Sequence, residues 1–401
     1  MTVRPRDIPD LLDAVRSAMA AKAPLEVVGG GTKRGLGRPV TGHALDVTAF
    51  AGIESHEPEE LVLTAGAATP LVEIEASLTR AGQQLAFEPP DYGPLYGQPS
   101  GRQTLAGVLA SNLAGPRRLT AGAARDHFLG FTAVSGRGDS FKAGGRVVKN
   151  VTGYDLSKLL AGSYGTLAVL AQVTVKVLPA PETATTALLL GLSSATAMAA
   201  MRDALASSCD VSGAAFVPAG LAQAVFEHET ASVTALRLEG PPPSVEARLA
   251  LLRTELGKER PFDVLGPGES ESLWRAIRNV APFCASPSLP LWRLSLPPAA
   301  AAQVVEDIAR HREARWFADW GGGRVWVEVA EEGEDAGASI IRSAARRAMG
   351  HAVLIRARED VRARIPVFDS GPEATAALTR RLKESFDPHR ILNPGRMYEG
   401  V

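Results

Sequence analysis

The sequence predicts an α+β protein of two domains and a C-terminal helical tail, divided at residues 1–180, 181–370 and 371–401. Three observations carry this reading. Over the first 180 residues, short apolar strands alternate with glycine-rich turns and amphipathic helices. The proline-rich stretch 178–182 then marks a boundary, beyond which alanine-rich helices replace most of the glycine loops. Finally, residues 373–386 form an amphipathic helical pattern that stops at Asp387-Pro388.

In chain order, residues 25–28 read as a strand running straight into Gly29-Gly30-Gly31-Thr32-Lys33-Arg34-Gly35. Residues 44–47 and 61–65 read as two more strands. A helix follows with Thr69 as N-cap, Pro70 at its first position and Gly82 just past its end. Leu71, Ile74, Leu78 and Ala81 make its apolar face. A second glycine-rich stretch, 92–115, has a helical middle at 105–113. Segments 128–134 and 140–141 flank a turn at 135–139 and predict a hairpin. A helix near 155–161, a turn at 162–165 and a strand alternating Val173, Val175 and Val177 with Thr174 and Lys176 close the unit. In the second domain, prolines at 241–243, 267 and 297–298 punctuate the chain, and 292–296 and 324–329 read as strands. After the tail helix, residues 391–395 are extended.

Composition limits the function. The 43 basic and 44 acidic residues leave a net charge of −1 and no basic stripe, which argues against a nucleic-acid partner. Only Cys209 and Cys284 are present, so the chain cannot hold a cysteine-ligated iron–sulfur centre or a disulfide framework. The first ten residues carry acids and prolines and predict no secretory signal. The apolar run at 187–192 is far shorter than the roughly 20 residues of a membrane helix. A cytoplasmic protein without a transmembrane segment is expected, able to reach a membrane face only through partners.

Three segments carry chemistry. A strand delivering three consecutive glycines lets the main chain approach an anion closely, with successive N–H groups converging on phosphate oxygens. The spacing is neither GxGxxG nor GxxxxGK[ST], which disfavours a Rossmann dinucleotide site and a Walker-type NTPase. Alone, the loop is equally a tight turn between strands. The second segment, 97–112, places glycines and hydroxyls at a helix start, where N–H groups are free for anions or for ordinary capping. The third, 148–156 continuing to 160–167, is dense in glycine and hydroxyl residues before a buried strand. That composition suits either a backbone wall against a flat ring or a plain helix–turn–strand connection. Within it, Ala161-Gly162-Ser163-Tyr164-Gly165 resembles a nucleophile elbow, but a helix precedes the serine and a strand follows, the reverse of the hydrolase order.

Together these segments resemble the FAD-binding domain of the vanillyl-alcohol oxidase and p-cresol methylhydroxylase (PCMH-type) superfamily. Its glycine loop corresponds to residues 29–33, its T-x-x-G helix start to Thr104–Gly107, and its GS-x-GT turn to residues 162–166. The resemblance extends to the family of glycolate oxidase FAD-binding subunits through residues 37–42, Glu88-Pro89-Pro90, residues 115–118 and 149–156, Asp319-Trp320-Gly321-Gly322, and Asn393-Pro394-Gly395-Arg396-Met397-Tyr398. It implies a two-lobed FAD-binding domain, an α+β cap with an antiparallel sheet, and a C-terminal helix returning to the FAD domain.

The resemblance further implies an enzyme that oxidises a small 2-hydroxy acid, glycolate, to glyoxylate, passing hydride to flavin N5 and electrons onward. Its partners would be a larger FAD-containing subunit and an iron–sulfur subunit. A chain that only relays electrons or supports assembly, and a complex acting on lactate, stay open. The cofactor-binding residues implied are Gly29, Gly30, Gly31, Thr32, Lys33, Gly35, Gly101, Thr104, Gly107, Ser111, Asn112, Gly162, Ser163, Gly165, Thr166 and Leu167. No histidine lies in residues 29–37, which predicts non-covalent FAD. The seven histidines are dispersed and no metal site is expected. His351 is the candidate acid–base group and Arg293 the candidate carboxylate partner, each with a structural alternative as a packed or ion-paired side chain.

Overall fold

The computed structural model describes residues 2–145, 153–227, 229–256, 262–330, 334–369 and 371–401. They fall into two compact units. One comprises Met1–Ala114, Gly122–Ala180 and Arg362–Val401, and the other Gly115–Ala121 and Pro181–Val361.

The first unit holds two principal sheets. The smaller is parallel, with His43–Asp46 between Thr2–Val3 and Leu25–Val28. The larger has five antiparallel strands in the order Ile53–Glu57, Val62–Gly66, Ala168–Lys176, Phe128–Ser135, Ser140–Gly144. Helix Ile8–Ala21 starts where the Asp7 carboxylate accepts the Asp10 N–H, and ends at Lys22 in the left-handed region. It buries Leu11, Val15 and Ala18 in one core with Leu25, Leu45, Val134, Val169, Ile391 and Leu392. That core draws on both sheets and on the segment after the last helix, Glu373–Phe386.

The second unit is built on eight antiparallel strands in the order Phe262–Leu265, Thr183–Leu190, Val233–Gly240, Gly213–Val217, Ala314–Asp319, Arg324–Val329, Leu291–Ser295, His351–Arg356. Directly paired residues share a face. Trp292 and its partner Val327 lie on a face where helix Ala338–Arg347 sends the Arg342 guanidinium over the Trp292 ring. The opposite face carries Arg293, Trp326 and the buried ion pairs of Asp319 with Arg324 and Glu328 with Arg356, with the half-exposed Arg315 also pairing with Glu328. Segment Gly115–Ala121 is tied to the same unit. Trp320 Nε1 donates to the Gly115 carbonyl at 2.9 Å, and Arg117 forms a bidentate pair with Glu239. Burial alone would raise the Glu239 carboxyl, but Arg117 and Arg237 hold it below its ordinary range.

Strands 25–28, 44–47, 61–65 and 128–134, the helices starting at 71, 105 and near 155, and the tail helix Glu373–Phe386 lie within a residue or two of the predicted positions. The strand read around 173–177 begins earlier, at Ala168, and helix Ile8–Ala21 and strand Ile53–Glu57 have no counterpart in the sequence reading. Two further features differ. Thr69 is not an N-cap: helix Leu71–Arg80 begins after Pro70 without a side-chain cap, and the Thr69 hydroxyl donates to Gly66 and Gly52 carbonyls. The Leu71 N–H already donates to the Gln103 carbonyl at 2.9 Å, so that donor needs no cap. In the second unit, alternation marks only two of the eight strands, because sheet strands such as Val233–Gly240 are buried on both faces. No helix among the described residues is long and apolar enough to cross a membrane.

Candidate functional site

Strand Leu25–Val28 carries the chain into the glycine loop, and the space beside that loop decides which residues can stand there. A Cβ on Gly30 would lie 1.8 Å from the Arg102 carbonyl oxygen, and one on Gly29 3.1 Å from Thr104 Oγ1. The loop therefore lies flush against residues 102–104, with Gly31 at φ +73°. Thr104 in turn caps helix Leu105–Ser111 by accepting the Gly107 N–H at 3.3 Å. The turn 162–165 docks on the far end of that helix, where Gly162 donates to the Leu109 carbonyl and Tyr164 to the Ala110 carbonyl.

These elements enclose one cavity. Of the residues expected to hold the cofactor, Gly29, Gly30, Gly31, Thr32 and Lys33 line it from the first loop, Thr104, Gly107 and Ser111 from the helix, and Gly165 from the turn. The remaining seven do not line it but fix the elements that do. Gly35 leaves room for the Tyr96 ring, and Gly101 donates to Asp91 at 2.7 Å. Asn112 closes the helix in the left-handed region and accepts the Arg125 N–H. Gly162 and Ser163 shape the turn, Thr166 donates to the Ser163 carbonyl at 2.8 Å, and Leu167 is buried. Residues 148–152 of the third segment lie outside the described residues.

The lining is electrostatically one-sided. Among the described residues its ionisable side chains include Lys33, Arg34 and Arg396, and no carboxylate. Arg34 turns to Glu26, and Arg396 Nη2 donates to the Lys33 carbonyl at 2.7 Å. Among the described residues Lys33 Nζ has only neutral oxygens as hydrogen-bond partners, Thr32 Oγ1 at 3.4 Å and Gln103 Oε1 at 3.5 Å. Burial lowers the Lys33 ammonium from 10.5 to about 8, with Asp91 opposing the drop. Val28, Val47, Ala67, Ala110 and Leu170 provide an apolar wall. A cavity with cations at a glycine loop and small apolar residues beside them matches a ligand with a pyrophosphate and a flat ring. FAD therefore fits the residues present, and among the described residues neither histidine nor cysteine lines the cavity.

Sequence reasoning left Tyr164, Asn393 and Arg396 without a role, yet all three line the cavity. Asn393 bridges its two sides, accepting the Val27 N–H at 2.9 Å and donating to the Tyr164 carbonyl at 2.8 Å. The available signal was the Asn393-Pro394-Gly395-Arg396 string; nothing local ties it to a strand 366 residues earlier.

The two catalytic candidates lie in the second unit. Arg293 is half-buried in strand Leu291–Ser295, paired with Trp326 and Val353, and its guanidinium makes no ion pair or hydrogen bond among the described residues. His351 is exposed at the first position of strand His351–Arg356, opposite Ser295. Among the described residues there is no group of three or more His, Cys, Asp or Glu that could hold a metal ion.

Residues 1–144 match the family described as FAD binding domain, and residues 368–397 match FAD linked oxidases, C-terminal domain. The chain is 37% identical over 393 residues to the glycolate oxidase subunit GlcE of Escherichia coli (strain K12), covering 97% of this chain and 96% of that protein. Among solved structures, the 4-ethylphenol oxidase of Gulosibacter chungangensis in its isoeugenol complex aligns with a TM-score of 0.74 at 15% identity, over 98% of this chain and 88% of that one. The p-cresol methylhydroxylase structure with substrate bound aligns with a TM-score of 0.71 at 13% identity, over the same shares. At those identities the likeness concerns the fold alone, and it agrees with the expected PCMH-type α+β architecture. Near-complete coverage at 37% identity, together with the FAD binding domain match over the glycine loop, shows that the chain belongs to the family of the glycolate oxidase subunit GlcE.

Proposed function

We propose that this chain binds FAD non-covalently in the glycine-loop cavity and serves as the FAD-binding subunit of a complex that oxidises glycolate to glyoxylate. The observation that carries the reading is the lining itself: among the described residues three cations and no carboxylate, and a loop whose Gly30 leaves no room for a Cβ against the Arg102 carbonyl. Gly29, Gly30, Gly31, Thr32, Lys33, Thr104 and Gly107 would hold the pyrophosphate, and the alanine- and valine-lined wall the ring. When bound, the flavin supplies the hydride acceptor. The chain's own residues orient it and exclude water.

For the substrate, Arg293 is the proposed carboxylate partner. Its guanidinium has no ion pair or hydrogen bond among the described residues, so it can offer a fork to a carboxylate. His351 is the proposed acceptor of the hydroxyl proton, on its sequence position; its exposed setting adds no support. With two cysteines the chain cannot ligate an iron–sulfur cluster through four thiolates, so the onward electron path is assigned to an iron–sulfur partner beside a larger flavin subunit. Membrane association, if it occurs in the complex, is assigned to those partners as well.

A second reading, an FAD-holding relay or assembly subunit without turnover, draws on the exposed position of His351. One experiment separates the two. The purified chain is mixed anaerobically with glycolate, or with D-lactate, and its absorbance near 450 nm (about the position of any oxidised flavin band) is followed. Bleaching by the chain alone supports the enzyme reading, with the more effective acid naming the substrate. Bleaching only after partner subunits are added supports the relay reading.

A further inference from the structure

The segment from Lys383 to Arg396 grips main-chain atoms on both sides of the cavity. Lys383 is fully buried, and its Nζ donates to the Thr166 carbonyl at 2.8 Å, the Leu392 carbonyl at 2.9 Å and Asp387 Oδ2 at 2.8 Å. Asp387 returns these contacts by accepting the N–H groups of Ile391 and Leu392 at 3.1 and 2.8 Å. Leu392 then pairs with Leu25 as a parallel bridge, with Leu25 donating to the Ile391 carbonyl and Asn393 to the Leu25 carbonyl. Asn393 crosses from Val27 to Tyr164, and Arg396 holds the Lys33 carbonyl.

The atoms gripped are not scattered. Val27 N and the Lys33 carbonyl flank the glycine loop, and the Tyr164 and Thr166 carbonyls flank Gly165. Both Tyr164, at φ 54°, and Gly165, at φ 70°, are in the left-handed region, a conformation that for tyrosine persists only when its surroundings enforce it. A Cβ on Gly165 would lie 2.7 Å from Asn393 Nδ2, so the carboxamide sits directly on the turn.

We propose that residues 383–396 form a clasp in which Asn393 is the positioning residue for the flavin, setting the separation of the glycine loop from the 162–166 turn, so that ordering of the clasp and retention of FAD are thermodynamically linked. This rests on the reading of the cavity as the FAD site. The physics is that of coupled order: a ligand that needs both loops in place binds more weakly when the bridge between them is cut, by the cost of reassembling them.

The experiment uses the full chain stripped of flavin and titrated with FAD. Asn393→Ala deletes two hydrogen bonds and is expected to raise the FAD dissociation constant about 30-fold. Asn393→Asp keeps the acceptor for Val27 N–H but loses the donor to Tyr164 and should fall between the two. Thr375→Ala, exposed on the tail helix, should match wild type. At saturating FAD the visible circular dichroism of the bound flavin should differ between Asn393→Ala and wild type, a signature that a merely stabilising residue would leave alone. Should Asn393→Ala fail to fold, amide exchange of the wild-type protein decides: residues 391–396 are expected to slow about tenfold or more on FAD addition. Wild-type affinity and dichroism in Asn393→Ala, or exchange at 391–396 indifferent to FAD, overturns the clasp. Wild-type protein unable to take up FAD would instead overturn the reading of the cavity.

Discussion

Replacing Lys33 by Met keeps the aliphatic stem and removes the cation that meets only neutral hydrogen-bond acceptors in the cavity wall. The drop from 10.5 to about 8 corresponds to about 3 kcal/mol for carrying the charge in the ligand-free cavity at neutral pH. An incoming pyrophosphate offsets that cost by pairing with the ammonium. Charge-assisted hydrogen bonds contribute about 1.5–3 kcal/mol, so Lys33→Met should weaken FAD binding about 10- to 100-fold at neutral pH.

The pH dependence has a definite sign. A bound dianion raises the Lys33 value above about 8, so this contribution to affinity is full below about 8 and fades as pH climbs toward the bound-state value. Stability of the FAD-free protein runs the other way. Its folded value lies below that of the unfolded chain, about 10.4, so the unfolded state binds more protons across that window and stability rises through it. Fluorescence titration of FAD into wild type and Lys33→Met, from about pH 6 to about pH 10, reads the first effect, and urea denaturation of the FAD-free proteins reads the second. Equal affinities at neutral pH, or parallel alkaline limbs for the two proteins, would refute the assignment of Lys33 to the pyrophosphate.

Three further outcomes are expected. Gly30→Ala places a Cβ 1.8 Å from the Arg102 carbonyl, and the displaced loop should lose FAD by about 100-fold or more, measured by the same titration; wild-type affinity would contradict the flush packing of the loop. Asp319→Asn breaks a pair in which both side chains are almost fully buried and should cost about 3–5 kcal/mol in denaturant unfolding. A loss under about 1 kcal/mol would mean that Arg324 finds its compensation elsewhere. Arg293→Met should raise KM for the 2-hydroxy acid about tenfold or more in the assembled complex, with Arg293→Lys recovering part of it; an unchanged KM would remove Arg293 from the substrate site.

The glycine loop, the capped helix at Thr104 and the closing turn were legible in the sequence because each rests on local chemistry: positive φ, a hydroxyl cap, and a spacing of three or four residues. Thr69 misleads for the same reason. Its sequence position is that of a cap, but the Leu71 N–H already has a long-range partner in the Gln103 carbonyl. The eight-stranded sheet was mostly illegible, since strands such as Val233–Gly240 and Thr183–Leu190 include continuous buried runs whose period cannot distinguish strand from helix. The clasp was illegible in a different way. Asn393 and Arg396 act on residues more than two hundred positions away, and only the folded chain brings them to the cavity. Arg293 and His351 were singled out together, and their surroundings now separate them: one is half-buried with a guanidinium that has no ion pair or hydrogen bond among the described residues, the other exposed at a strand end.

The most direct test is the flavin content of the purified chain, measured as FAD released into the supernatant when the protein is acid-denatured. About one FAD per chain, all of it in the supernatant, is the result predicted by a cavity whose cations and glycine loop hold the cofactor without a covalent bond. A chain that yields no FAD and takes none up when supplied, or one whose flavin stays with the precipitated polypeptide, would contradict it.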